Sequence, residues 1–240
     1  MDPAWRSPET SSSPCDLPPD RLGRLVLLLH GMLLHPVYLR PLEWYLRRRG
    51  HRTLNLGYPS TRHPIEEHAV RIARRLAEEE ERSPIGRLDL VTHSMGGLVA
   101  RRLLTHERHP PPGRLVQIVP PNRGSAVARV WRTRALYRAV YGSSAGWQLG
   151  ESPEEIDRIC GVPEEIEWGI VMGDAPPTIR PWLPEPNDGV VSHSEMRMPG
   201  AATTRVGMGH TPSLFFPETW RQVSSFLERG RFISPEEDPE

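Results

Sequence analysis

The chain has 240 residues, a formal net charge of zero and 37% hydrophobic residues, enough for one sizeable core and one domain. Its 30 basic residues, all arginine, are matched by 30 acidic ones, so the clustered basic excess of a nucleic-acid binder is absent. No apolar run reaches the ~18 residues of a membrane span, and two cysteines, Cys15 and Cys160, leave no disulfide framework.

Residues 1–20 hold five prolines and a Thr-Ser-Ser-Ser run with almost no aliphatics, and are expected to be disordered. They contain no apolar signal core, and the cysteine usage fits a reducing compartment, so the expected location is the cytoplasm. Residues 24–30 (RLVLLLH) form a continuous apolar run, the pattern of a strand buried on both faces. A helix over 37–49 and a strand over 52–56 follow. Residues 64–82 repeat apolar side chains at helical spacing, with Ile65, Ala69, Ile72, Ala73, Leu76 and Ala77 on one face. A third strand over 87–92 runs into Ser94, and the helix after it reaches His106. The fourth strand covers 114–119. This alternation predicts an α/β fold with a mostly parallel sheet, right-handed crossovers and helices on both faces.

The rhythm stops after Pro120-Pro121. Residues 124–160 offer no strand, but carry Val127, Val130, Trp131, Leu136, Tyr137, Val140, Tyr141 and Trp147 between small residues. They read as an inserted helical cap. Strands resume over 167–173 and 203–206. A closing helix over 217–230 turns Trp220, Val223, Phe226 and Leu227 inward, with Gly230 as its C-terminal stop. The domain is therefore expected over 21–232, with a second disordered tail over 233–240.

Ser94 lies where a buried strand meets a helix, in Thr92-His-Ser-Met-Gly96. That is the setting of a nucleophile elbow, in which a strained turn presents the serine hydroxyl at the end of the strand. Gly96 lets the following helix pack close to the strand, where a Cβ would clash. Thr92 stands where the first glycine of the usual G-x-S-x-G occurs. The alternative is a buried strand followed by a helix whose N-cap is Ser94.

A serine alcohol needs a general base. With the partners in the order serine, acid, histidine, His193 and His210 come late enough. His210, in the glycine loop Gly207-Met-Gly-His210, is the candidate base. His193, in a polar stretch, reads as an exposed residue near the site mouth. Asp188, in the turn Asn187-Asp-Gly189, is preferred over Asp174 as the acid that orients the histidine. An oxyanion hole needs two backbone N–H groups, expected from Met95 after the nucleophile and from Met32 after His30-Gly31.

Together these residues resemble the α/β-hydrolase superfamily, within it the bacterial lipase/esterase group. The resemblance rests on His30-Gly31, the HSMGG elbow at 93–97, the NDGVVS segment at 187–192 and Gly209-His210, and covers about 22–230. It implies an α/β-hydrolase fold and a serine carboxylic-ester hydrolase acting on hydrophobic acyl esters through an acyl-enzyme. The catalytic residues would be Ser94, Asp188 and His210. Related secreted lipases place a calcium-binding aspartate after the histidine. Thr211 stands there, so neither metal nor cofactor is implied. The same residues would serve a phospholipid or thioester acyl hydrolase, or an acyltransferase. A non-catalytic binding protein of the same fold would have lost one of them. A nucleotide-binding doubly wound domain is excluded, because His30-Gly-Met-Leu-Leu-His-Pro36 lacks the G-x-G-x-x-G spacing. The expected partner is a small ester with an apolar acyl chain, with transient contact to a membrane surface.

Overall fold

A computed structural model describes residues 23–176 and 185–234. The expected N-terminal tail, and all of the expected C-terminal tail except Ile233 and Ser234, lie outside those residues. The backbone of Ile233 exchanges hydrogen bonds with the Gln222 amide, at 2.9 and 3.3 Å.

The elements follow as β1 (Arg24–Leu29), α1 (Arg40–Arg48), β2 (Arg52–Leu56), α2 (Ile65–Arg82), β3 (Arg87–His93), α3 (Gly96–His106) and β4 (Pro112–Ile118). Next come α4 (Ala126–Trp131), α5 (Ala135–Tyr141), α6 (Ala145–Gln148), α7 (Pro153–Cys160) and β5 (Glu167–Gly173). The chain closes with α8 (His193–Met196), β6 (Ala202–Val206) and α9 (Pro217–Arg229). The helix expected over 37–49 begins as a 3-10 turn, Pro36–Leu39, and becomes α-helical from Arg40, with Pro41 in the first turn where a missing N–H costs no helical bond.

Six strands form one sheet in the order β2-β1-β3-β4-β5-β6, and every pairing is parallel. The chain steps outward from β1 to β2 and then crosses back to β3. The strand order reverses between β1 and β3, where open parallel sheets open a crevice at their carboxyl ends. β1 is buried along its whole length. Helices α2, α3 and α7 pack together on one side, and α1 and α9 meet on the other. This arrangement is the α/β-hydrolase fold.

The expected cap divides in two. Helices α4, α5 and α6 sit above the carboxyl edge of the sheet. Helix α7 packs against α2 and α3, within the helical layer. It is fastened there by Arg101, a fully buried arginine. The Arg101 guanidinium meets the Asp157 carboxylate at 2.5 Å and donates to the carbonyls of Gly161 and Asn122. At the opposite edge of the sheet, Asp89 is buried between strands. It accepts from the Arg24 guanidinium at 2.6 Å and from the Arg114 backbone N–H at 2.7 Å.

Candidate active site

β3 carries Ser94 to the carboxyl edge of the sheet, and the backbone turns sharply there. Ser94 takes φ +52°, a left-handed conformation that non-glycine residues rarely adopt. Two backbone bonds hold the turn: Ser94 N–H donates to Ile118 at 2.9 Å, and Gly97 N–H to the Ser94 carbonyl at 2.9 Å. A Cβ on Gly96 would lie 2.6 Å from the Leu29 carbonyl oxygen and 2.8 Å from that of His30. Glycine is thus what lets α3 start against β1. Thr92, in place of the usual first glycine, is buried within β3.

His210 comes from the loop after β6. Its Nε2 lies 2.9 Å from Ser94 Oγ and its Nδ1 2.5 Å from Asp188 Oδ2. The Asp188 side chain is fully buried. Its other oxygen accepts the N–H groups of Val190 and Val191, at 2.8 and 2.7 Å. Gly189 makes this turn possible with φ +95°. The structure therefore brings Ser94, His210 and Asp188 together. Asp174 is not the carboxylate beside His210; its backbone N–H donates to Val206 at the end of the sheet.

His193 departs from its expected place. It is buried, not exposed at the mouth, and its Nε2–H donates to the Gly173 carbonyl at 2.9 Å. The polar run Ser192-His-Ser-Glu195 is a helix start rather than a solvated loop. Ser192 and Glu195 form a reciprocal capping box, and Glu195 also accepts the Ala126 N–H at 2.5 Å. His193 and Glu195 thus tie the Asp188 turn to β5 and to the base of the cap.

Met32 and Met95 flank Ser94. Met95 is the N-cap of α3, where backbone N–H groups have no partner within the helix. Met32 follows Gly31, whose missing Cβ would lie 2.9 Å from Ser94 Cβ and 2.8 Å from His93 Nδ1. Leu33 takes φ +60°, and its N–H donates to Ser60 Oγ at 3.1 Å. Tyr58 supports the same loop: its hydroxyl donates to the His30 carbonyl at 2.5 Å, and its ring stacks on the His30 imidazole at 4.4 Å. Burial pushes the pKa of His30 down and that of Tyr58 up.

Tyr58, Ser60 and His93 escape the sequence reading. Tyr58 and Ser60 follow β2 with no local signal, and only the β1–β2 pairing brings them to residues 30–33. His93 does have a signal, its place beside Ser94. Its Nε2–H donates to the His210 carbonyl at 3.1 Å. Burial, then the charge of nearby His210, pushes its pKa down to about 3, so it is neutral.

A cavity of about 260 Å³ opens on Ser94 and His210. Met32, Leu34, Val127, Tyr137, Leu149 and Val190 line it, and among the described residues no carboxylate or arginine does. A larger depression of about 500 Å³, between α2 and residues 107–110, is edged by glutamates and arginines and has no nucleophile beside it. Among the described residues, no group of three His, Cys, Asp or Glu side chains is placed to hold a metal ion. None of the described helices is long and apolar enough to cross a membrane.

No protein-family model matches the chain, and no curated protein matches it at a significant level. Solved structures do share its fold. The mature form of Bacillus licheniformis lipase BlEst2 superposes with a TM-score of 0.69 at 16% identity, over 89% of this chain and 94% of that one. The metagenomic carboxyl esterase MGS0156 gives 0.61 at 19% identity, over 86% and 71%. Phospholipase PlaB from Legionella pneumophila, in complex with thio-NAD, gives 0.56 at 18% identity, over 72% of this chain and 44% of that one.

Proposed function

We propose that the protein is a serine hydrolase that cleaves carboxylic esters with an apolar acyl part. The observation that carries this reading is the unbroken line Ser94–His210–Asp188, with contacts of 2.9 and 2.5 Å, at the mouth of an uncharged cavity. The esterase and lipase among the structural neighbours support it.

Ser94 Oγ attacks the ester carbonyl while its proton passes to His210 Nε2. Asp188 Oδ2 faces Nδ1, fixes the ring tautomer that leaves Nε2 free to accept, and stabilises the imidazolium that forms. The oxyanion is held by the amides of Met32 and Met95, each such donor worth ~3 kcal/mol in the transition state. His210 then protonates the leaving alcohol. Water, deprotonated by the same nitrogen, releases the acid from the acyl-enzyme. The acyl chain occupies the apolar cavity under the cap. The protein works without a cofactor, in the cytoplasm, and touches a membrane surface transiently.

A second reading, a phospholipid acyl hydrolase, draws on the phospholipase among the neighbours and on the apolar cap. A thioester hydrolase or an acyltransferase would use the same residues with a different leaving group or acceptor.

The test is labelling with a fluorophosphonate probe, beside Ser94→Ala. Modification at Ser94 that vanishes in the variant, together with hydrolysis of p-nitrophenyl esters, is the expected result. A well-folded protein that takes up no probe and cleaves no ester would overturn the reading in favour of a binding protein.

A further inference from the structure

The outer surface of the cap has no part in the chemistry above. Helix α5 has no buried residue. Its Tyr137 and Tyr141 stack on each other, ring centres 4.5 Å apart, and line the cavity. Successive helical residues turn by ~100°, so Ala135 and Ala139 lie opposite the tyrosines. Leu136 and Val140 border them on one side, and Arg134 and Arg138 on the other. Leu136 is 77% exposed, and Val130 and Trp131 of α4 are 67% and 49% exposed. Exposed large apolar side chains on two consecutive helices mark a candidate contact surface.

The charge of the chain is also segregated here. Residues 124–150 contain four arginines and no aspartate or glutamate, although the whole chain is balanced. Arg132 is neutralised by Glu151 at 2.5 Å. Among the described residues Arg129 donates to the Glu151 backbone carbonyl, at 3.1 Å, and meets no carboxylate, which leaves its charge in place. Arg129, Arg134 and Arg138 are all exposed.

We infer that the outer face of the cap docks the protein on an anionic lipid surface. Val130, Leu136 and Val140 enter the boundary between headgroups and acyl chains, and Arg129, Arg134 and Arg138 face the lipid phosphates. The complementarity is with a sheet of negative charge: the arginines flank a ridge of aliphatic side chains rather than a groove. The tyrosines behind α5 line the Ser94 cavity, so the docked face and the acyl site share a helix. That last point rests on the hydrolase reading; the docking itself does not.

The full chain is floated with phosphatidylglycerol vesicles and, in parallel, with phosphatidylcholine vesicles. Flotation with the anionic vesicles only, released by raising the salt, is expected. Arg134→Gln with Arg138→Gln weakens it about 25-fold, at about five-fold per arginine, and Leu136→Ser with Val140→Ser weakens it at least ~10-fold. Both double variants keep the wild-type melting temperature and the wild-type rate on a soluble short-chain ester, which separates loss of docking from loss of the site. Equal flotation with both vesicles, no flotation, or indifference to the arginine changes overturns the inference. Retention on polyglutamate beads without flotation reassigns the face to an acidic protein. A wild-type protein that floats but cleaves no ester counts against the hydrolase reading and leaves the docking standing.

Discussion

The imidazole of His93 donates from Nε2 to the backbone carbonyl of His210. The residue beside Ser94 thereby holds the main chain of the residue whose ring faces Ser94. The His210 N–H is bonded in turn to the Asp188 carbonyl at 2.9 Å. The His210 ring is thus aimed by two backbone bonds as well as by its own two side-chain contacts. Removing the first with His93→Leu is expected to lower kcat by ~10- to 100-fold, the scale of a small misplacement of a reacting group, while KM stays within about two-fold. Steady-state kinetics on a soluble ester check this. An unchanged kcat would mean that the loop holds its position without His93.

The acid is tested by paired variants. Asp188→Asn is expected to cut kcat by ~10⁴-fold in a folded protein, through loss of the tautomer that keeps Nε2 an acceptor. Asp174→Asn should stay within a few-fold of wild type. The reverse pattern would move the orienting role to Asp174.

Stability is expected to fall on mild acidification. His93 and His68 are both buried, and burial pushes their pKa values down to about 3 and about 4. Below the ordinary value of ~6.5 the unfolded chain binds protons that the folded chain does not, so stability drops as pH falls from 6.5. The slope approaches ~1.4 kcal/mol per pH unit for each histidine. Above pH 7 their contribution is fully present. Urea midpoints between pH 8 and 5 measure this, and His68→Phe should remove part of the slope, His93 and His30, whose pKa burial also lowers, carrying the rest. Midpoints flat across that range contradict it.

The sheet's lower edge depends on Asp89. Asp89→Ala leaves Arg24, itself nearly buried, without its 2.6 Å partner. The expected loss is ~3–5 kcal/mol, the usual cost of an orphaned buried charge, read from urea unfolding. A loss below about 1 kcal/mol would show that water reaches Arg24.

Chain-length preference should follow the cavity wall. Leu149→Ala widens the space beside Ser94 and is expected to shift the best p-nitrophenyl ester toward longer acyl chains. Val127→Phe fills it and shifts the preference toward shorter ones. Identical chain-length profiles would place the acyl group elsewhere.

Much of this architecture is written in local pattern. The apolar run of β1 declares a strand buried on both faces, and the strand–helix alternation declares a parallel sheet. The elbow at Ser94 can be read because its residues are neighbours in the chain. Asp188 could be preferred over Asp174 from the turn around it, because an Asn-Asp-Gly turn is a local event. His193 misleads because its neighbours are polar for a local reason, the capping box of Ser192 and Glu195, while the imidazole itself packs under β5. Tyr58 and Ser60 are illegible for the opposite reason. They matter only through the register of β1 with β2, which brings residues nearly thirty positions apart side by side. The end of the cap is missed on similar grounds, since α7 joins the helical layer through Arg101 of α3.

The placement of helices α4 to α6 has one further consequence. They enter the chain between β4 and β5, whereas Ser94 follows β3, and Asp188 and His210 come after β5. Under the proposed function, the stretch that shapes what fits is therefore separate from the stretches that would carry out the reaction. Substitution, lengthening or exchange of residues 124–150 can redraw the range of acceptable molecules while the reactive groups keep their spacing. Because α5 has no buried residue to hold it, this segment should also open locally at far less cost than global unfolding. Its amides would be the first in the described chain to exchange with solvent deuterium.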